Sequence, residues 1–404
     1  MKVIQINSVC GIGSTGKLVT QISDCLTQND IDNYIFYGLG TTDRENSFKI
    51  GNSFDAHFHS FISRKFCMQG YGSCLSTLRL IKKIRRINPD IVHLHNIHGH
   101  YLNFKILFKY LNQTDIKIVW TFHDCWPMTG KCPHFTAVNC MKWKSGCFEC
   151  PQLKRYPDSE IDRTKQIYID KKKFFTQKKD LHIVCVSKWL ECVAKESFFA
   201  GKDIRCIYNG INTDIFYPRF SNIKRNLEIE NKKVILGVSS IWNDNKGFEH
   251  FCELAKVLDA SYRIVIIGKL PKEKKNNLPD NIILVGEVTS QEKLAEYYSM
   301  ADVLLNLSIE ETFGLVVAEV LACGTPAIVM DSTACPEVID EQTGIIVRTS
   351  EPKEIKNAIN QVQKLEVERK CIDRSRTMFS NERMQQEYLK IYERVMKYAD
   401  AKKI

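Results

Sequence analysis

Glu311 and Glu319 stand with seven residues between them in the stretch VLLNLSIEETFGLVVAEVLACGTP, residues 303 to 326. The apolar run from Val303 to Leu307 reads as a strand, SIEET as a polar elbow, and Leu315, Ala318 and the Val320, Leu321, Ala322 group recur at helical spacing. A strand, a tight loop and a helix in that order aim the unpaired N–H groups of the first helical turn, at Thr312, Phe313, Gly314 and Leu315, beyond the strand end, where the helix dipole favours negative charge. The elbow is an anion seat bracketed by two carboxylates. A helix over 312–319 would set the carboxylates on the order of 10 Å apart along its axis, suiting a ligand with an anionic middle and hydroxyls at both ends. A nucleotide diphosphate sugar has that shape. Two solvated helix-face charges are the competing reading, and Gly314 and the Ala-Cys-Gly-Thr-Pro exit at 322–326 weigh against it.

Other chemistry-bearing residues gather in the first half. Gly11, Gly13 and Gly16, between a strand and a helix, fit the dinucleotide fingerprint G-x-G-x-x-G. The next strand, NYIFYGLG at 33–40, ends in glycines where an acid would hold a ribose, and Leu18 replaces the Ser or Thr that a P-loop needs after Lys17. What survives is a loop without bulky side chains at a strand end. His93 and His95 share a strand face, followed by Asn96, His98 and His100. With no carboxylate or cysteine at ligand spacing, Asn96 and His98 read as the lining of an acceptor pocket rather than a metal site. The strand IKIVWTFHD delivers His123 and Asp124 to the same edge, where ligands of open α/β sheets bind.

Cys132, Cys140, Cys147 and Cys150 follow as C-x7-C-x6-C-x2-C. The last pair fits a zinc knuckle, although the first gaps are looser than usual, so a structural zinc and four free thiols both remain open readings. Two basic amphipathic regions, 54–87 and 162–180, interleave aromatic residues with Lys and Arg. Each reads either as a solvated face or as a surface that docks on anionic lipid.

These pieces need a scaffold of alternating strands and helices. The second half supplies VILGVSSIW, YRIVIIGK, NIILVGEV, ADVLLNLS, TPAIVM and TGIIVR with helical segments between them, the pattern of an α/β parallel sheet. At 404 residues the chain has length for about two such domains. Its composition, 44% hydrophobic and 26% charged, is that of a globular protein. No apolar run approaches a membrane span, and Met1 to Gly13 is too polar and short for a signal peptide, so a cytoplasmic location is expected. A net charge of +10 attracts anionic partners without naming them, and no nucleic-acid motif accompanies it.

The segment EETFGLVVAEVLACGTPAIV, with Glu311 and Glu319 in an E-x7-E spacing, resembles the retaining glycosyltransferases of family 4, and among them the colanic-acid-type enzymes of bacterial surface polysaccharide assembly. The resemblance implies the GT-B fold: two Rossmann-like doubly wound domains facing a central cleft. Residues 1–214 would bind acceptor and carry a Cys-rich insertion at 125–150, 215–380 would bind the donor, and a helix at 381–404 would pack back on the first domain. By the same resemblance Lys246, before Gly247, reaches the donor diphosphate, and Gly286 and Val288 hold the base through backbone groups. His123 would lie beside the transferred sugar, with Gly13 and Ser14 near the donor phosphates. Glu319 is assigned to the ribose hydroxyls and Glu311 to those of the sugar. Many family members have an arginine shortly before the lysine. Val238 to Trp242 contains none, so the second cation is either missing or supplied from elsewhere, by Lys17 or Lys269.

The implied activity transfers a sugar from a nucleotide diphosphate donor, with UDP ahead of GDP and ADP, to a hydroxyl of a glycan or lipid-linked glycan, at the inner face of the plasma membrane. It needs no catalytic metal, because a lysine and a helix end meet the leaving charge. The rival readings are an NAD-dependent oxidoreductase built on the Gly-rich loop and a non-catalytic zinc-stabilised scaffold.

Overall fold

The computed structural model describes residues 1–275, 278–364 and 367–400. It divides into two compact units, Met1–Ile207 with Gln385–Ile404, and Tyr208–Met384.

The first unit holds seven parallel strands: β1 (Lys2–Val9), β2 (Asp32–Leu39), β3 (Ser47–Lys49), β4 (Ile91–Leu94), β5 (Lys117–Phe122), β6 (Leu181–Cys185) and β7 (Asp203–Cys206), in the order β3-β2-β1-β4-β5-β6-β7. All four residues of β4 are buried, and β5 is buried from Ile118 on. Continuous burial instead of alternation is what a parallel sheet covered on both faces requires. The order reverses between β1 and β4, so the loops leaving those strands flank a switch point.

The second unit repeats the plan with six parallel strands: β8 (Lys233–Ile241), β9 (Tyr262–Lys269), β10 (Ile282–Gly286), β11 (Val303–Asn306), β12 (Ala327–Met330) and β13 (Gly344–Val347), ordered β10-β9-β8-β11-β12-β13. Its switch point lies between β8 and β11. Both units are the doubly wound α/β sheets that the alternation predicts.

Glycine geometry seats the two switch-point loops. Gly11 and Gly13 take left-handed φ of 71° and 63°. At Gly16 a Cβ would come within 3.1 Å of Val9 and 3.2 Å of the Gly11 nitrogen, so the helix Gly13–Gln28 lies tight on β1.

The final helix, Asn381–Asp400, buries Met384, Tyr388, Tyr392 and Val395, with Ile391 half-buried. From Gln385 on it belongs to the first unit: Tyr392 bonds His93 at 2.6 Å and Tyr388 bonds Thr121 at 2.9 Å.

Of the two basic amphipathic regions, the second turns inward. Its helix, Thr164–Thr176, buries Tyr168, Lys171 and Phe175. Phe175 packs on Phe108 at 4.5 Å and Trp120 at 4.8 Å between ring centroids, so the lipid-docking reading of 162–180 is replaced by core packing. Lys171 donates to the carbonyls of Trp126 (2.7 Å) and Thr129 (3.1 Å) and sits over the Trp126 ring. Burial pushes it down to about 7. Lys131 caps the carbonyls of Gln152, Leu153 and Arg155, each at 3.0 Å. Two buried lysine side chains thus hold the Cys-rich insertion.

The cysteines of that insertion are free thiols. Burial pushes Cys132 up to about 12 and Cys147 up to about 11, and Cys147 accepts a hydrogen bond from the Gly130 N–H at 3.1 Å. Among the described residues no group of three or more His, Cys, Asp or Glu side chains stands where it could hold a metal ion. That holds for Cys132, Cys140, Cys147 and Cys150, where the spacing left zinc open.

Candidate active site

Lys246 and Glu311, two of the residues that the sequence singles out in the second unit, come from the two loops that flank its switch point. After β8, Asn243–Lys246 leads into Gly247, whose left-handed φ of 71° starts the helix Phe248–Val257. A Cβ at Gly247 would lie 3.1 Å from the Leu307 carbonyl, so this left-handed position, closed on the end of β11, favours glycine. After β11 comes the elbow, Leu307–Gly314, and then the helix Leu315–Ala322.

Helix begins later than the spacing predicts. Gly314, at φ 94°, breaks the chain before Leu315, so 312–314 fall outside the helix, with Glu311 in the elbow and Glu319 in the helix as the sequence places them. An axial separation over 312–319 therefore does not apply, while the anion seat gains definition. Val317 and Ala318 bond back to the Gly314 carbonyl, and among the described residues the N–H groups of Gly314, Leu315 and Val316 meet no acceptor from the chain. Phe313 contributes its backbone to the seat, whereas its ring is buried between Tyr208 (5.8 Å) and Phe379 (5.5 Å).

The Lys246 ammonium forms an ion pair with Oε1 of Glu311, each side chain about a quarter exposed. Beneath them, Asn245 donates to Oε2 of the buried Glu310 at 2.6 Å, and Ile309 N–H donates to the Asn245 carbonyl at 3.0 Å. The loop after β12 clamps the elbow as well: Glu311 N–H donates to Thr333 Oγ1 at 3.0 Å, and Ser332 Oγ donates to the Ile309 carbonyl at 2.6 Å. A carboxylate and an ammonium are thus fixed beside a helix mouth.

Glu319 is oriented by Tyr298, whose hydroxyl donates to Oε2 at 3.0 Å from the helix Gln291–Met300. Burial first, then the Glu319 charge, holds that phenol well above its ordinary range, so it remains a donor. Gly286 ends β10 at φ 85°, with open space where a Cβ would stand, and Val288 is half-buried in the loop after it. Lys269, one of the two candidates for a second cation, pairs with Glu287 at 2.9 Å in a largely exposed position.

In the first unit, Gly13 and Ser14 leave β1, Asn96 and His98 follow β4, and His123 follows β5. His98 Nε2 lies 2.8 Å from Asp124 Oδ2, and Asp124 Oδ1 accepts from Trp126 N–H at 2.8 Å. The carboxylate partner of His98 comes from the neighbouring strand, which linear spacing cannot reveal. Asn96 N–H donates to Asn7 Oδ1 at 3.2 Å. The buried His123 reaches His95 Nδ1 through Nε2 at 3.1 Å, and His95 Nε2 reaches Gln5 Oε1 at 3.2 Å. Burial pushes His123 down to about 4 and His93 and His95 well below their ordinary value.

The sequence did not single out Gln5, Tyr298, Asn245 or Glu310 as site residues. Glu310 beside Glu311 was a visible signal; Gln5 and Tyr298 sit in apolar surroundings that give none.

Two doubly wound sheets, each presenting polar groups at a switch point, with an acid–lysine pair at one helix mouth, define the GT-B class of glycosyltransferase. The chain belongs to the family 4, group 1 glycosyltransferases: the Glycosyltransferase Family 4 profile matches residues 15–215 and the Glycosyl transferases group 1 profile residues 219–378. It is 24% identical over 418 residues to the putative colanic acid biosynthesis glycosyl transferase WcaC of Escherichia coli K12, covering 97% of this chain and all of that one. The O-antigen chain mannosyltransferase RfbU of Salmonella typhimurium is 25% identical over 70% of this chain and 73% of its own. Among solved structures, a sucrose-phosphate synthase from Thermosynechococcus elongatus superposes with a TM-score of 0.71 at 16% identity, over 98% of this chain and 99% of that one. The Anabaena protein HepE, solved with UDP and glucose, gives 0.66 at 12% identity over 97% and 99%. At these identities the structural likeness speaks for the fold. Among the described residues no helix is long and apolar enough to cross a membrane.

Proposed function

We propose that this glycosyltransferase is a retaining, metal-independent enzyme of bacterial surface polysaccharide assembly. It moves a sugar from a nucleotide diphosphate donor, UDP in first place, to a hydroxyl of a lipid-linked glycan at the inner face of the plasma membrane. The observation that carries the reading is the Lys246–Glu311 pair beside the left-handed Gly314 at the mouth of the helix Leu315–Ala322. Charge on a departing nucleoside diphosphate would meet the ammonium and the N–H groups of Gly314 to Val316, electrostatic stabilisation aimed at where charge develops.

Within this reading Glu319, held by Tyr298, takes the ribose hydroxyls. Glu311 takes hydroxyls of the transferred sugar, and Gly286 and Val288 frame the base. Gly13 and Ser14 attend the phosphates, His123 the sugar, and Asn96 and His98 the acceptor. The sugar–phosphate bond breaks through an oxocarbenium-like state, the acceptor oxygen bonds the anomeric carbon on the same face, and its proton leaves with the diphosphate. The names of WcaC and RfbU support the surface-polysaccharide assignment, and the UDP complex of HepE supports the donor class. Purified protein screened against UDP-, GDP- and ADP-sugars, with nucleoside diphosphate release as readout, tests it. Release from a UDP-sugar that Glu311→Gln abolishes is the expected result, and release from none of the donors overturns the reading.

A further inference from the structure

The helix Ser53–Phe66 is amphipathic the wrong way round for a globular surface. Its buried residues are His59 and Ser63, while Phe54, Phe58 and Phe61 are 83%, 55% and 55% exposed. Spacings of i, i+4 and i+7 bring these three rings onto one stripe. His59 explains how such a helix stays anchored. Its Nε2 accepts from Gly70 N–H (3.0 Å) and Gly72 N–H (3.1 Å), so its Nδ1 carries the hydrogen and donates to Ser73 Oγ at 3.0 Å. Ser73 is the N-cap residue of the next helix, Cys74–Ile87, which leaves Leu75 (70%) and Leu78 (51%) exposed beside Arg79 and Lys82.

The two helices carry seven Lys and Arg against one acid, Asp55. Lys65 is paired with Glu160, but among the described residues Arg64, Arg79 and Lys82 meet no acid at ion-pair distance. Exposed aromatic rings among such cations mark an interfacial surface for a negatively charged bilayer. A second copy of this chain is a poor occupant, because self-association would bring the same cations face to face. A soluble apolar ligand is poor as well, since a stripe of rings on a helix offers no enclosure.

We infer that the face formed by Phe54, Phe58, Phe61, Leu75 and Leu78 docks on a bilayer of anionic headgroups, the rings entering the headgroup boundary and Arg64, Arg79 and Lys82 meeting the lipid charge. The inference names the membrane contact of the proposed lipid-linked reaction, and it rests on that reading only for its purpose.

Full-length protein is sedimented with vesicles of phosphatidylglycerol and phosphatidylethanolamine, or of phosphatidylcholine alone, while UDP binding is measured on the same samples by calorimetry. Wild type is expected to bind the anionic vesicles, more weakly as salt rises. The triple variant Phe54→Ser, Phe58→Ser, Phe61→Ser should partition about 100-fold less, and Arg79→Glu with Lys82→Glu should lose the preference for anionic lipid. UDP affinity should be the same in all. Equal binding to both vesicle types, undiminished binding of the triple variant, or a wild-type dimer that the triple variant dissociates would each overturn the inference. Absent UDP binding with vesicle binding intact would sink UDP as the donor nucleotide and leave this inference standing.

Discussion

His95 Nδ1 lies 3.1 Å from His123 Nε2, and the direction of that hydrogen bond is fixed from the far end of the chain of contacts. The Val19 carbonyl only accepts, so Gln5 presents its NH2 to it at 3.1 Å and its Oε1 to His95. His95 Nε2 must then carry the hydrogen, its Nδ1 is bare, and His123 donates through Nε2. The neutral His123 is left with a bare Nδ1, an acceptor suited to a sugar hydroxyl.

Replacing His95 with Phe removes the acceptor that selects this tautomer and leaves the buried Nε2–H of His123 unpaired. Such loss costs about 1–3 kcal/mol, so kcat should fall roughly tenfold while UDP affinity holds. Nitrogen NMR should show the hydrogen of His123 redistributed between its two ring nitrogens. His95→Gln, which retains an acceptor, should recover part of the rate; a purely structural role would move neither the tautomer nor the rescue.

Glu311→Gln and Lys246→Met should separate in sign. Glu311→Gln removes the carboxylate competing for the ammonium, in a part-exposed pair worth about 0–1 kcal/mol, so UDP binding stays level or tightens up to about fivefold. Transfer should nevertheless fall by at least about 100-fold. Lys246→Met forfeits a charge-assisted bond of about 1.5–3 kcal/mol, and UDP binding should weaken by about 10- to 150-fold. Calorimetry with UDP reads both, and weaker binding in Glu311→Gln would contradict the assignment. Chelation with EDTA should leave the wild-type rate within about twofold, since these groups would act without a metal.

Tyr298→Phe keeps the ring, which stacks on Phe216 at 5.8 Å, and deletes only the donor to Glu319. A hydrogen bond to a carboxylate is worth about 1.5–3 kcal/mol. The donor KM should rise about 10- to 150-fold with kcat little changed, because on the proposed assignment ribose would be held equally in ground and transition states. A 2′-deoxyribose donor should lose the distinction between variant and wild type.

Periodicity exposed most of the scaffold, since buried runs such as IVHL and AIVM read as strands with no help from tertiary structure. The E-x7-E elbow was legible too, being local. What one dimension hides is the pairing of distant groups: Gln5 with His95, His98 with Asp124 and Tyr298 with Glu319 are joined by adjacent strands or packed helices. Nor could composition tell the two basic amphipathic regions apart. Both alternate Phe with Lys, yet Phe175 found an aromatic cluster to enter and Phe54, Phe58 and Phe61 did not. The helix after the elbow starts later than the spacing predicts because a left-handed Gly314 is compatible with either loop or first turn until its φ is known.

Acid should begin to destabilise the first unit above the range in which ordinary carboxylates titrate. Burial lowers His123 to about 4 and His59 to about 3 from an ordinary 6.5, and His93 and His95 move the same way. Between pH 6.5 and 4 the unfolded chain therefore takes up protons that the folded one refuses, so stability is full above pH 6.5 and declines as pH falls. For His123 alone the loss from pH 7.5 to 5 is about 2 kcal/mol. Urea unfolding at the two pH values should show it, and His123→Asn should shrink the difference by about that amount. If the variant declined as steeply as wild type, His123 would not be the neutral, buried donor to His95 that its tautomer requires.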